Sequence, residues 1–165
     1  MRYLKKISLI FFILSSFTLD AQTTLSSAML KPMRGAIAPF SSFTQKDSLI
    51  LICFWSVNSD VSIDELNAIS AHYDNWKEAA KFKLMAVSVD EGKLANRARP
   101  TAIMNGWTFD IFVDVNGDLQ KALNSNNFPQ SFIIKKGKVV YQQSGYETGT
   151  ENYLFQKIAE FANKK

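Results

Sequence analysis

The chain has 165 residues, 47% of them hydrophobic, with 19 Lys and Arg against 15 Asp and Glu. Three of those basic residues and one acidic residue fall within the first 21, which leaves 16 against 14, a net of +2. That balance gives no electrostatic footprint for nucleic acid or an anionic membrane. One cysteine cannot close an internal disulfide, and one cysteine with one histidine cannot cluster around zinc or copper, so neither a metal nor a cofactor is expected.

The first segment reads as a signal peptide. Arg2, Lys5 and Lys6 precede the apolar run ISLIFFILSSFTL (7–19), and Leu19-Asp20-Ala21 ends on a small residue. Thirteen residues fall short of the roughly 20 that a spanning helix needs. Cleavage after Ala21 is expected, leaving no membrane span and an exported chain in the periplasm or outside the cell. Residues 22–47 are polar and punctuated by Pro32, Gly35 and Pro39, an extended lead-in with at most a short strand. Residues 48–165 form the expected domain.

LILICFW (49–55) is almost wholly apolar, which suits a central strand covered on both faces. Cys53 lies inside it. A thiol there is an inert core group with a raised pKa, unless export exposes it to pairing between chains. The turn FWSVNSDVS (54–62) then leads into apolar positions 63, 66, 69, 73, 76 and 80, a helical stripe. Ser62-x-x-Glu65 matches a capping box, and Ser59 fits a cap one turn earlier; the sequence leaves both open.

KLMAVSVD (83–90) reads as a strand and KLANRARPTAIMNGW (93–107) as a helix, with Pro100 near a first turn or a kink. FDIFVD (109–114) is a strand. Asp114-Val-Asn116-Gly117-Asp118 has the look of a calcium loop, but its glycine comes too early and position 12 is Ser125, so it reads as a turn and a helix cap. QSFIIKKGKVVYQQSG (130–145) is a hairpin and TENYLFQKIAEFANKK (150–165) a closing amphipathic helix. Lys81 and Lys83, and Lys135, Lys136 and Lys138, read as solvated faces and a turn. Alternating strands and helices followed by a hairpin imply an α/β layered domain with a mixed sheet. Ligands in such sheets meet the carboxyl ends of the strands, where residues 56–62 lie.

FW before the turn, ELNAIS, KLMAVSVD, the NGW…D-x-NGD stretch, NNFPQSF and KKGKVVYQQSGY occur in an order and spacing that resemble a known family. Over roughly residues 40–165 the chain is similar to exported thioredoxin-fold proteins of the TlpA-like, redoxin (AhpC/TSA) type. The resemblance implies a thioredoxin-like fold. It also implies a W-C-x-x-C dithiol after FW; here Asn58 stands in the tryptophan position and Ser59 and Ser62 in the cysteine positions, with Asp60 and Val61 between. Pro129 matches the family's cis-proline, and Phe128 the residue whose backbone pairs with an extended partner.

Dithiol exchange needs a thiolate and a stable sulfur–sulfur bond, and serine supplies neither. Ser59 has no base: His72 lies ten residues beyond Ser62, about 15 Å along the helix. A peroxidatic role for Cys53 would need exposure and a positive field. The expectation is therefore a redox-inactive module with no catalytic residue. It would bind a protein or extended peptide of the cell envelope through Trp55, Asn58, Ser59, Asp60, Val61, Ser62, Phe128 and Pro129. The alternative is a thiol-redox enzyme acting as a monothiol through Cys53.

Overall fold

The computed structural model describes residues 25–44 and 49–163. The signal segment 1–21 and its cleavage point lie outside the described residues.

The centre of the molecule is β3 (Leu49–Trp55), every residue of which is buried. Alternation along the strand sends Leu49, Leu51, Cys53 and Trp55 into one hydrophobic cluster and Ile50, Ile52 and Phe54 into another on the opposite face. This is why the segment is a continuous apolar run rather than an alternating one. Its neighbours are β4 (Lys83–Ser88), parallel, and β6 (Gln130–Lys135), antiparallel. Beyond β4 lies β5 (Asp110–Asp114), parallel to it, then β1 (Met29–Pro32) and β2 (Ala38–Pro39), each antiparallel to its inner neighbour. On the other side β7 (Lys138–Ser144) pairs antiparallel with β6. The sheet order is β2-β1-β5-β4-β3-β6-β7. Lys136 and Gly137, with φ of 52° and 74°, make the two-residue turn of the hairpin.

One face is covered by α1 (Asp60–Ala79) and α5 (Thr150–Asn163). Helix α1 buries Leu66, Ile69, Tyr73 and Trp76 along the expected stripe, with Ile63 only partly buried at its margin. Trp76 stacks on Phe155 of α5 at 4.9 Å between ring centroids. The other face is closed by Leu119 of α4 (Asp118–Ala122) and, from the chain's start, by Leu25, Ala28, Leu30 and Phe40.

Two expectations need correction. Residues 22–47 are more than a lead-in with at most a short strand: their described part carries two strands, and four of its side chains belong to the core. Leu30, fully buried beside β5, anchors them there. The single helix expected over 93–107 is two, α2 (Gly92–Ala95) and α3 (Ala98–Met104). Pro100 has no N–H, and its ring would clash with the carbonyl of Asn96, so an unbroken helix cannot pass through that turn. In the first turn of α3 the missing donor costs nothing.

Leu66, with no exposed surface, joins α1 to the sheet. Leu66→Ala is expected to lower unfolding free energy by about 2–5 kcal/mol, read from the shift in urea midpoint at unchanged m-value.

Candidate functional site

Strand β3 ends at Trp55, and the next four residues turn into α1. The turn is held from beneath by one carboxylate. Asp90, just past β4, accepts from Ser56 Oγ at 2.7 Å, from the Val57 amide at 2.9 Å and from Ser88 Oγ at 2.8 Å. Ser56 Oγ in turn accepts from the Asn58 amide at 3.2 Å. The sequence reading gave Asp90 no role. An acidic residue closing an otherwise apolar strand was the available signal.

Ser59, and not Ser62, caps the helix. Its Oγ accepts from the Ser62 amide at 3.3 Å and from the Ser62 hydroxyl at 2.8 Å. The capping box with Glu65 does not form, because the helix begins at Asp60 and Ser62 is already inside its first turn. The two hydroxyls therefore face each other across one helical turn. Ser59 is half-buried and Ser62 wholly buried, while Asn58, Asp60 and Val61 are exposed around them. Val61, 47% exposed, is the apolar element of that rim.

Trp55 does not reach the surface. It is completely buried, edge-on to Trp107 at 5.0 Å, and supports the turn from behind. Trp107 is itself held by donating to Asn67 Oδ1 at 2.8 Å. The pairing of Phe54 with Gln130 puts Pro129 level with Trp55, at the same end of the sheet as the serines. The Phe128–Pro129 peptide is cis, Pro129 is buried and Phe128 is half-buried against the second cluster. The structure thus brings Asn58 to Ser62 and the Phe128–Pro129 loop to one end of the sheet, with Trp55 beneath.

Behind the serine pair is a buried polar group of three. Ser131 Oγ lies 3.2 Å from Cys53 Sγ and 3.2 Å from Glu65 Oε1. Neighbouring strands bring Cys53 and Ser131 into register, and α1 lowers Glu65 onto them. Burial pushes the Glu65 carboxyl up to about 7, against a partial stabilisation of its charge by Ser131. Burial also pushes the Cys53 thiol well above its ordinary value, and the Glu65 charge adds to the effect. Cys53 has no exposed surface, so it is neither a thiolate nor reachable. His72 is exposed on α1 and stacks on Trp76, and serves neither serine as a base. Among the described residues no three Cys, His, Asp or Glu side chains gather to hold a metal. No described helix is long and apolar enough to cross a membrane.

The AhpC/TSA family matches residues 22–142. The chain belongs to that family. A thioredoxin-like protein from Porphyromonas gingivalis is 33% identical, with a TM-score of 0.73 over 84% of this chain and 92% of its own. StoA from Bacillus subtilis is 21% identical, at TM-score 0.63 over 78% and 94%. A cysteine-to-serine mutant of peroxiredoxin Q from Xanthomonas campestris is 15% identical, at TM-score 0.71 over 86% and 95%. A protein assigned as the thiol:disulfide interchange protein DsbE from Chlorobium tepidum is 20% identical, at TM-score 0.66 over 82% and 94%. No curated protein matches the chain. The fold is thioredoxin-like, as the sequence resemblance implied.

The folded AhpC/TSA-family chain holds the Glu65 proton up to about pH 7, whereas an unfolded glutamate releases it near 4.5. Stability from this group is full below pH 4.5 and declines as pH rises to 7, by up to about 3 kcal/mol. Urea midpoints measured across that window should fall accordingly, and Glu65→Gln should flatten the dependence.

Proposed function

We propose that this chain is a redox-inactive member of the AhpC/TSA family that binds a protein or extended peptide at the Ser59–Ser62 helix start and the Phe128–Pro129 loop. The observation that carries the reading is the serine pair. Two hydroxyls hydrogen-bond at the N-terminus of α1, where the family resemblance places two sulfurs, while the chain's single cysteine is sealed in the core. A helix N-terminus stabilises a thiolate, but its field cannot bring a serine hydroxyl to ionise near neutral pH. Nor can two hydroxyls store an electron pair as a disulfide does. What this end of the sheet retains is a rim of Asn58, Asp60 and Val61 beside Phe128, on a rigid sheet, which suits pairing with an extended chain. The proposal includes export, supported by the basic residues and apolar run of residues 2–21 and placing the partner in the cell envelope.

The likeness to peroxiredoxin Q favours a second reading, a monothiol enzyme using Cys53. The burial and raised pKa of that thiol weigh against it. The two readings separate in one set of measurements. Under the first, Cys53 stays silent to a disulfide reagent until the protein is denatured, and the chain turns over neither a protein disulfide nor a peroxide. A native thiol that reacts within seconds, or catalytic turnover by protein freed of contaminating reductases, would establish the second.

The frame itself has an independent check. The Ser59→Cys, Ser62→Cys double variant should close an intramolecular disulfide, because its side chains already meet across one turn. The binding surface is tested with a photo-crosslinking side chain at position 61 and, as a control, at position 157 on α5. Capture of the same partner from position 61 alone is expected, and equal capture from both would defeat the groove assignment.

A further inference from the structure

A crevice of about 270 Å³ lies between β1, β5 and the α2–α3 segment. None of its lining residues belongs to the β3–α1 turn or to the Phe128–Pro129 loop. It lies where the helix is broken: α2 ends at Ala95 and α3 begins at Ala98, with Pro100 in its first turn. The floor is apolar. Ile111 belongs to the cluster under α1, and Met33 and Val113 pack against its edge. Ala98 forms the opposing wall, and its small side chain leaves the space unfilled.

The lining is cationic. Lys31, level with Val113 in the strand register, and Arg99, in the first turn of α3, both line the crevice and are both exposed to solvent. No acidic side chain is in the lining. Among the described residues neither cation has an ion-pair partner. The carboxylates of β5 are engaged elsewhere: Asp110 pairs with Lys83 at 3.0 Å, and Asp114 accepts from the Leu119 and Gln120 amides at the start of α4. An apolar floor with two uncompensated cations is complementary to a ligand that is apolar at one end and anionic at the other. Arginine and lysine bind carboxylates through charge-assisted hydrogen bonds. The volume lies just under the roughly 300–1,000 Å³ of drug-sized sites, which restricts the apolar part to a compact body.

We propose that this crevice binds a small carboxylate with a compact apolar body, its anionic end between Lys31 and Arg99 and its body on Met33, Ile111 and Val113. The site is independent of the groove reading, since it shares no residue with it.

Benzoate is the probe. Titrated into isotope-labelled protein, it should shift the amides of Lys31, Ala98 and Val113 along one saturating curve. Benzamide, which has the same shape without the charge, should bind about tenfold or more weakly. Inorganic phosphate, which has charge without the apolar body, should also bind more weakly than benzoate. The Lys31→Gln, Arg99→Gln double variant changes two exposed side chains, so its spectrum away from the crevice should be retained while benzoate affinity falls about tenfold or more. Absence of saturation at these amides, shifts scattered over other lysines, equal binding of benzamide, or a folded double variant that binds benzoate undiminished would each overturn the proposal.

Discussion

Burying both faces of β3 leaves seven consecutive residues without an exposed side chain, and the rest of the molecule is arranged to make that possible. Helices α1 and α5 cover one face, while α4 and the segment before β3 cover the other. At the carboxyl end of this enclosed strand the chain meets solvent and turns. That end is Ser56 to Ser59, and the Asp90 carboxylate holds it by accepting from two hydroxyls and one amide. Because Asp90 follows β4 directly, the rigidity of the parallel β3–β4 pair passes into the turn without a flexible intermediary.

The serine pair is held entirely within its own turn. The Ser59 hydroxyl does the work of a helix cap, and Ser62 adds its own hydroxyl to the same oxygen. Both groups are satisfied locally, so the turn needs no ligand to be stable. Beneath it the Cys53, Ser131 and Glu65 group is different in kind. It sits where the surroundings are apolar, and the carboxyl holds its proton to about pH 7 because its charge finds too little solvation there. Such a buried carboxyl is a standing cost to the fold at higher pH.

Pro100 has an effect on a different scale. It forbids one unbroken helix over this stretch, and the break between α2 and α3 borders the crevice beside β5 and β1. Arg99 of α3 and Lys31 of β1 both line that crevice. The same segment also carries Ile103 and Met104 outward.

Much of this was legible in the sequence because it rests on local periodicity. A seven-residue apolar run must be enclosed, a stripe at helical spacing must face a core, and Lys136-Gly137 between two strand patterns must turn. The family resemblance likewise located the β3–α1 turn and the level of Pro129. The tertiary structure alone decided which serine caps α1, that Trp55 is sealed behind the turn, that Asp90 ties the turn down, and that residues 25–44 complete the core. The physical reason is common to these. Each depends on contacts between residues some thirty or more positions apart, or on which of two adequate local partners the packing leaves within reach, and periodicity within one segment carries no information about either.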